Sequence, residues 1–229
     1  MLIFVALVFG LLPGFAWLVF YLSEDPYPEP KRLIVFTFLV GIAFGFFTIG
    51  IEQMWNGFMA GVNIAEFSIV SLFGLALIEE IMKFAAAHFA INRNPAFDEP
   101  IDAMIYLVVA ALGFATLENI GAISNIPWQS AYIPEVFATI SLRFVGATLL
   151  HSLTSGIIGY HWAVGILRKQ VARHLIQGFA IAAILHTFFN YLILNYGNAA
   201  YSVVFLVVVG FFVLNDFEEL KGKYINIIN

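Results

Sequence analysis

An all-α fold, a polytopic bundle of about seven transmembrane helices within a range of six to eight, is the class this sequence predicts, and three observations carry it. Hydrophobic residues make up 62% of the chain and charged residues 11%, where a soluble domain would carry about 25% charged residues; the mean hydropathy is +0.93. The 229 residues divide into apolar runs of membrane-crossing length, about 20 residues each. The lysines and arginines collect in alternate connections between those runs.

In chain order the predicted spans are 2–22, 33–51, 64–91, 101–123, 135–166, 174–195 and 198–216. The first run begins at Met1 without a basic leader or a small-residue cleavage site, so it reads as a retained span. It ends at Ser23-Glu24-Asp25-Pro26-Tyr27-Pro28-Glu29-Pro30-Lys31-Arg32, whose prolines lack the donor a helix needs and restrict the residues before them. The loop Asn92–Pro100 separates the third and fourth spans in the same way, and Arg168–Arg173 separates the fifth and sixth. Lys31, Arg32, Arg93, Arg168, Lys169, Arg173, Lys221 and Lys223 fall in alternate loops and the tail, and the other loops hold none. The positive-inside rule then sets the N-terminus outside and the C-terminus in the cytoplasm. Trp17, Tyr21 and Trp162 fall near inner span ends, and Trp55, Trp128, Tyr132 and Tyr196 near outer ends, as interfacial anchors do. The pairs Gly41/Gly45 and Ser152/Gly156 read as places where helices approach closely. Residues 1–229 leave no room for a separate soluble domain, so a single integral membrane domain in a bilayer is expected.

A net charge of −5 gives no basic surface for nucleic acid. The absence of cysteine excludes disulfides, a thiol nucleophile and thiolate metal ligands.

The exceptional stretch is Glu79-Glu80-Ile81-Met82-Lys83, inside the third span. Three ionisable groups on one spanning helix cost roughly 7–10 kcal/mol on insertion scales, while the 13 Leu, Ile, Phe and Val residues between Ile64 and Ile91 return only ~4–8 kcal/mol. Partners from other helices or enclosed water must supply the difference. Counting rise along each span puts Glu79, Glu80, His151 and His186 near mid-membrane, with Glu118 and Asn190 towards the outer half. Glu79 and Lys83 are i,i+4, Glu80 and Lys83 i,i+3, and His186 and Asn190 i,i+4, so each set can share a face. Glu79 and Glu80 lie about 100° apart around the helix. One carboxylate is therefore expected to face the centre and the other to pair with Lys83 or Arg143. His88, His161 and His174 lie near inner span ends, and Asp98, Glu99 and Asp102 suit the start of the fourth span.

Several chemistries lack their residues. There is no His-Glu-x-x-His for a zinc protease of that type, no Gly-x-Ser-x-Gly, and no pair of intramembrane aspartates. A glutamate in a dry site can take a proton from water as that water attacks a carbonyl, with histidine and asparagine stabilising the oxyanion. With a metal, zinc or another divalent ion, the natural ligands are Glu118, His151 and His186. The residues fit a scheme with an ion and one without. They also fit a proton-coupled transporter, since buried Glu, His and Lys make proton relays, or a silent scaffold or sensor; no inverted repeat of the kind transporters carry is evident.

Three motifs, in order, resemble one family. Glu79-Glu80-Ile81-Met82-Lys83 matches E-E-x-x-K, Phe114-Ala115-Thr116-Leu117-Glu118-Asn119 matches F-x-x-x-E-N, and His186-Thr187-Phe188-Phe189-Asn190 matches H-x-x-x-N/D. With His151 on the span between, the set is similar to the PrsW family of intramembrane proteases, as are Phe97-Asp98-Glu99-Pro100-Ile101-Asp102 and Glu29-Pro30-Lys31-Arg32. That family resembles the CAAX prenyl endopeptidase and Abi group, in which paired glutamates, histidines and an asparagine line a cavity in the membrane. Here Glu118 stands where that wider group usually has histidine, and Lys83 where it has arginine, which favours the PrsW branch. The resemblance implies a prokaryotic cell-membrane endopeptidase that cleaves a membrane-anchored protein, for the best-known member an anti-sigma factor. It implies Glu79 as general base, Glu80 and Lys83 in support, and Glu118, His151, His186 and Asn190 completing the site.

Overall fold

The computed structural model describes residues 2–127, 132–196 and 199–228, with side chains described for 3–127, 132–196 and 199–222. Among these are eight helices and no strand: α1 Leu2–Leu22, α2 Lys31–Gly61, α3 Ile69–Ile91, α4 Asp102–Ser124, α5 Tyr132–Val145, α6 Ala147–Leu167, α7 Val171–Tyr196 and α8 Ala199–Ile228. Six helical stretches are long and apolar enough to cross a membrane, with α5 and α6 counted as one stretch of 36 residues. The 23-residue α3 is not among them, because Glu79, Glu80 and Lys83 interrupt its apolar character. The protein is a polytopic helical membrane bundle.

The centre of the bundle is α4, in which 83% of the most apolar window is buried. It packs against α1, α2, α3, α5 and α6, and small residues make that possible. A Cβ on Gly41 of α2 would sit 2.1 Å from the Ala110 carbonyl oxygen, and one on Gly113 of α4 would sit 2.0 Å from the Phe38 carbonyl oxygen. The two backbones therefore touch directly, as expected for Gly41. A Cβ on Gly45 would likewise come 2.8 Å from Leu117 Cδ2, and one on Gly156 the same distance from Val213 Cγ1 of α8.

The loops predicted to lie on the cytoplasmic side are tied to one another. The Tyr106 hydroxyl donates to Glu29, and Asp102 Oδ2 accepts the backbone N–H groups of Asp98 at 2.9 Å and Glu99 at 2.8 Å. Lys221 Nζ, far along α8, donates to Glu24 at 2.7 Å.

Four expectations change. The predicted span 135–166 is two helices, broken at Gly146, whose backbone angles are φ −113° and ψ −103°; no proline or polar run marks the place. Helix α2 runs ten residues past the predicted boundary of 51, because the polar stretch after Ile51 remains helical. Helix α8 likewise continues to Ile228. Tyr21 and Trp162 are 2% and 6% exposed, so they are core residues and not interfacial anchors. Tyr21 bonds Ser152 at 3.1 Å, and Trp162 packs on Phe84 and Phe97. Trp128 lies outside the described residues.

Candidate active site

Helix α3 opens at Ser68, whose side chain caps the Ser71 N–H at 3.2 Å, and runs down beside α4 and α7. Three turns in, its two glutamates part. Glu80 and Lys83 are fully buried, and the Lys83 ammonium donates to Glu80 Oε1 at 2.7 Å. The same oxygen lies 2.7 Å from His186 Nδ1 of α7. Glu79, one residue earlier, turns to a cavity of about 220 Å³ whose wall also includes Glu118, Arg143, His151, His186 and Asn190.

Two carboxylate–imidazole pairs converge on Glu79. An ionised carboxylate can only accept, so His186 donates Nδ1–H to Glu80 and presents Nε2, 3.6 Å from Glu79 Oε2. His151 of α6 donates Nε2–H to Glu118 Oε2 at 3.0 Å and presents Nδ1, 3.7 Å from the same Glu79 oxygen. That Nδ1 accepts from Lys83 at 3.1 Å, and its one lone pair would leave Lys83 when an ion is held. The two rings stand nearly perpendicular, with centroids 5.3 Å apart. A carboxylate fixing one nitrogen so that the other points inward is the arrangement that orients histidine ligands in metal sites.

The donor set can be tested against a metal. Glu79 Oε2 is buried and has no hydrogen-bond partner, which is costly unless something else meets it. Glu79, His151 and His186 offer ligand atoms within 4.8 Å of one another. In tetrahedral coordination with bonds near 2.0–2.1 Å, neighbouring ligand atoms stand roughly 3.3–3.4 Å apart, close to the two separations found here. The residues fit a divalent ion. The set differs from the expected Glu118, His151 and His186 by one acid: Glu79 sits with the imidazoles, while Glu118 is held by His151 and by Arg143 Nη2 at 2.9 Å. Depth along a helix is legible in sequence, but the rotation that aims Glu118 at Arg143 is not.

Asn190 reaches the cavity wall one turn from His186, and Lys83 lies behind it against Glu80. Two neighbours were not anticipated. Glu52 of α2 lies within hydrogen-bonding reach of Glu79; it falls one residue beyond the predicted end of its span and so read as loop. Asn119 receives Arg143 Nε and donates to Thr148 Oγ1 at 3.1 Å, fixing the guanidinium that holds Glu118. Its place beside Glu118 in F-x-x-x-E-N was the available signal.

Residues 29–215, most of the chain and all of this site, match the family model described as PrsW family intramembrane metalloprotease. The chain belongs to the PrsW family. Protease PrsW of Geobacillus kaustophilus strain HTA426 is 26% identical over 216 residues, covering 93% of this chain and 91% of the relative. Protease PrsW of Bacillus subtilis strain 168 is 23% identical, covering 93% and 94%, and that of Clostridioides difficile strain 630 is 24% identical, covering 98% and 92%. No solved structure gives a significant match. PrsW membership makes the protein an intramembrane peptide hydrolase of the bacterial cell membrane, and the carrier and scaffold readings give way to it.

Proposed function

We propose that this PrsW-family protein cleaves membrane-anchored proteins with Glu79, His151 and His186 as ligands of a divalent ion, zinc fitting the donors best, and Glu118 as the proton acceptor. The observation that supports this most is the convergence of two oriented imidazoles on the unpartnered Glu79 Oε2. An ion held there would polarise the scissile carbonyl and make water more acidic.

The chain's own groups do the rest. Glu80 and Glu118 lock the two rings by their outer nitrogens. The contacts of Glu118 with Arg143 and His151 both fall on Oε2, and its side chain is 32% exposed, so Oε1 can meet a water in the cavity. As that water adds to the carbonyl carbon, Glu118 takes its proton. When the C–N bond breaks, the proton passes to the leaving amine. Asn190, which lines the cavity, would donate to the oxyanion between those steps. This moves the base role from Glu79, whose Oε2 is enclosed between the two imidazoles, to the acid that is open to the cavity.

The substrate is a single-span or anchored protein, and a regulatory protein of the anti-sigma kind is the first to try. The test is cleavage of such a reporter in proteoliposomes. Glu118→Gln, Glu79→Gln and His186→Ala should each lower the rate by about 10² or more while the protein keeps its thermal unfolding transition. Near-normal cleavage by Glu118→Gln would remove it from proton transfer.

A further inference from the structure

Beside the catalytic cavity lies a second one, of about 270 Å³, that the reading above leaves unused. Leu142 and Val145 at the end of α5, Ile193 near the end of α7, and Ala199, Ser202 and Val203 at the start of α8 form its walls. Arg143, Ala147 and Ile193 line both cavities, so the two adjoin across a shared wall. Gly146, the break between α5 and α6, also lines this second space. The outer walls face lipid: Leu142, Val145 and Ile193 are 57%, 36% and 48% exposed.

One polar group inside points to a ligand. Ser202 is 2% exposed and its Oγ is buried without a hydrogen-bond partner. A hydroxyl removed from water in this way is costly until something meets it. A lipid tail cannot do so, whereas a peptide carries an amide at every residue. Consecutive residues of an extended chain lie ~3.3 Å apart, so a peptide whose scissile bond reaches Glu79 and Glu118 must set a flanking side chain in an adjoining space.

We propose that this cavity is the specificity subsite for a large apolar side chain next to the scissile bond, with Ser202 Oγ hydrogen-bonded to the substrate backbone. The inference rests on the protease reading above and names what that site selects. It assigns to α8, which contributes nothing to the acid–imidazole cluster, the task of choosing where the substrate is cut.

The test uses the full-length protein in proteoliposomes and synthetic single-span peptides differing only in the residue beside the cut, as Ala, Val, Leu or Phe. Wild type should cleave the Leu or Phe peptide at least tenfold better than the Ala peptide, by kcat/KM. Val203→Trp, which fills the cavity, should reduce that ratio at least tenfold. Val203→Ala, which enlarges it without crowding the fold, should move the optimum towards Phe. Ser202→Ala should raise KM several-fold on all four peptides, with kcat little changed. An unchanged ranking in both Val203 variants would overturn the subsite, as would an equal loss on every peptide in those two variants, the result expected of a lipid seat. Wild type that cuts none of the peptides, nor the anchored reporter above, would overturn the protease reading and this inference with it.

Discussion

Glu79 and Glu80 are neighbours in sequence and opposites in surroundings. Glu80 is fully buried, with an ammonium and an imidazole on the same oxygen, whereas Glu79 keeps an oxygen that no protein donor meets. Helical rotation made a split of this kind legible, but Lys83 stands i,i+4 to Glu79 and i,i+3 to Glu80, so spacing left open which acid it would take. The identity of the acid among the imidazoles was not legible, because the way Glu118 is turned on α4 depends on Arg143, which comes from α5. Removing one member of a buried pair leaves an uncompensated charge, so Lys83→Met should destabilise the protein by about 3–5 kcal/mol. Glu80→Gln with Lys83→Met should recover part of that loss, as read by thermal unfolding in detergent. Cleavage should stay low in the double variant, because there His186 loses the carboxylate that orients it.

At the scale of the helix, backbone contact and helix breaks decide where the side chains arrive. The α2–α4 seam at Gly41 and Gly113 has no room for a Cβ, and Gly41→Leu should therefore unfold the bundle or lower its midpoint sharply, by more than the ~1–3 kcal/mol of ordinary overpacking. The spacing of Gly41 and Gly45 signalled one side of that seam, but not that α4 would meet it at Gly113. Sequence did not mark the α5–α6 break, since Gly146 carries no polar or proline signal, nor the continuation of α2 that brings Glu52 to Glu79. The loop before α2 offers a separate test. Burial raises the Glu29 carboxyl above its ordinary range, outweighing the hydrogen bonds from Tyr106 and Asp102, with Asp25 and Asp98 pushing the same way. The folded state then holds this proton more tightly than the unfolded chain. Its contribution to stability is present below the usual glutamate range and is lost as pH rises through the raised value. Thermal midpoints measured against pH should fall across that window in wild type and flatten in Glu29→Gln, which keeps a neutral partner for Tyr106.

In the whole molecule, the general plan was readable and the meeting point only in part. Composition and the distribution of lysine and arginine gave a helical membrane bundle, because lipid forces backbone groups into helices. The charged stretch in α3 marked the site, because buried charge is too expensive to keep without partners. Those partners come from α4, α6 and α7, with Arg143 from α5, and only packing around α4 brings them to one point. The central claim is that Glu79, His151 and His186 form the ion's ligand set, with Glu118 outside it. The most direct measurement is the divalent metal content of purified wild type, Glu79→Gln and Glu118→Gln, after loading with zinc and gel filtration. Wild type and Glu118→Gln should carry an equimolar ion and Glu79→Gln should carry little. Loss of the ion in Glu118→Gln, with retention in Glu79→Gln, would contradict the account.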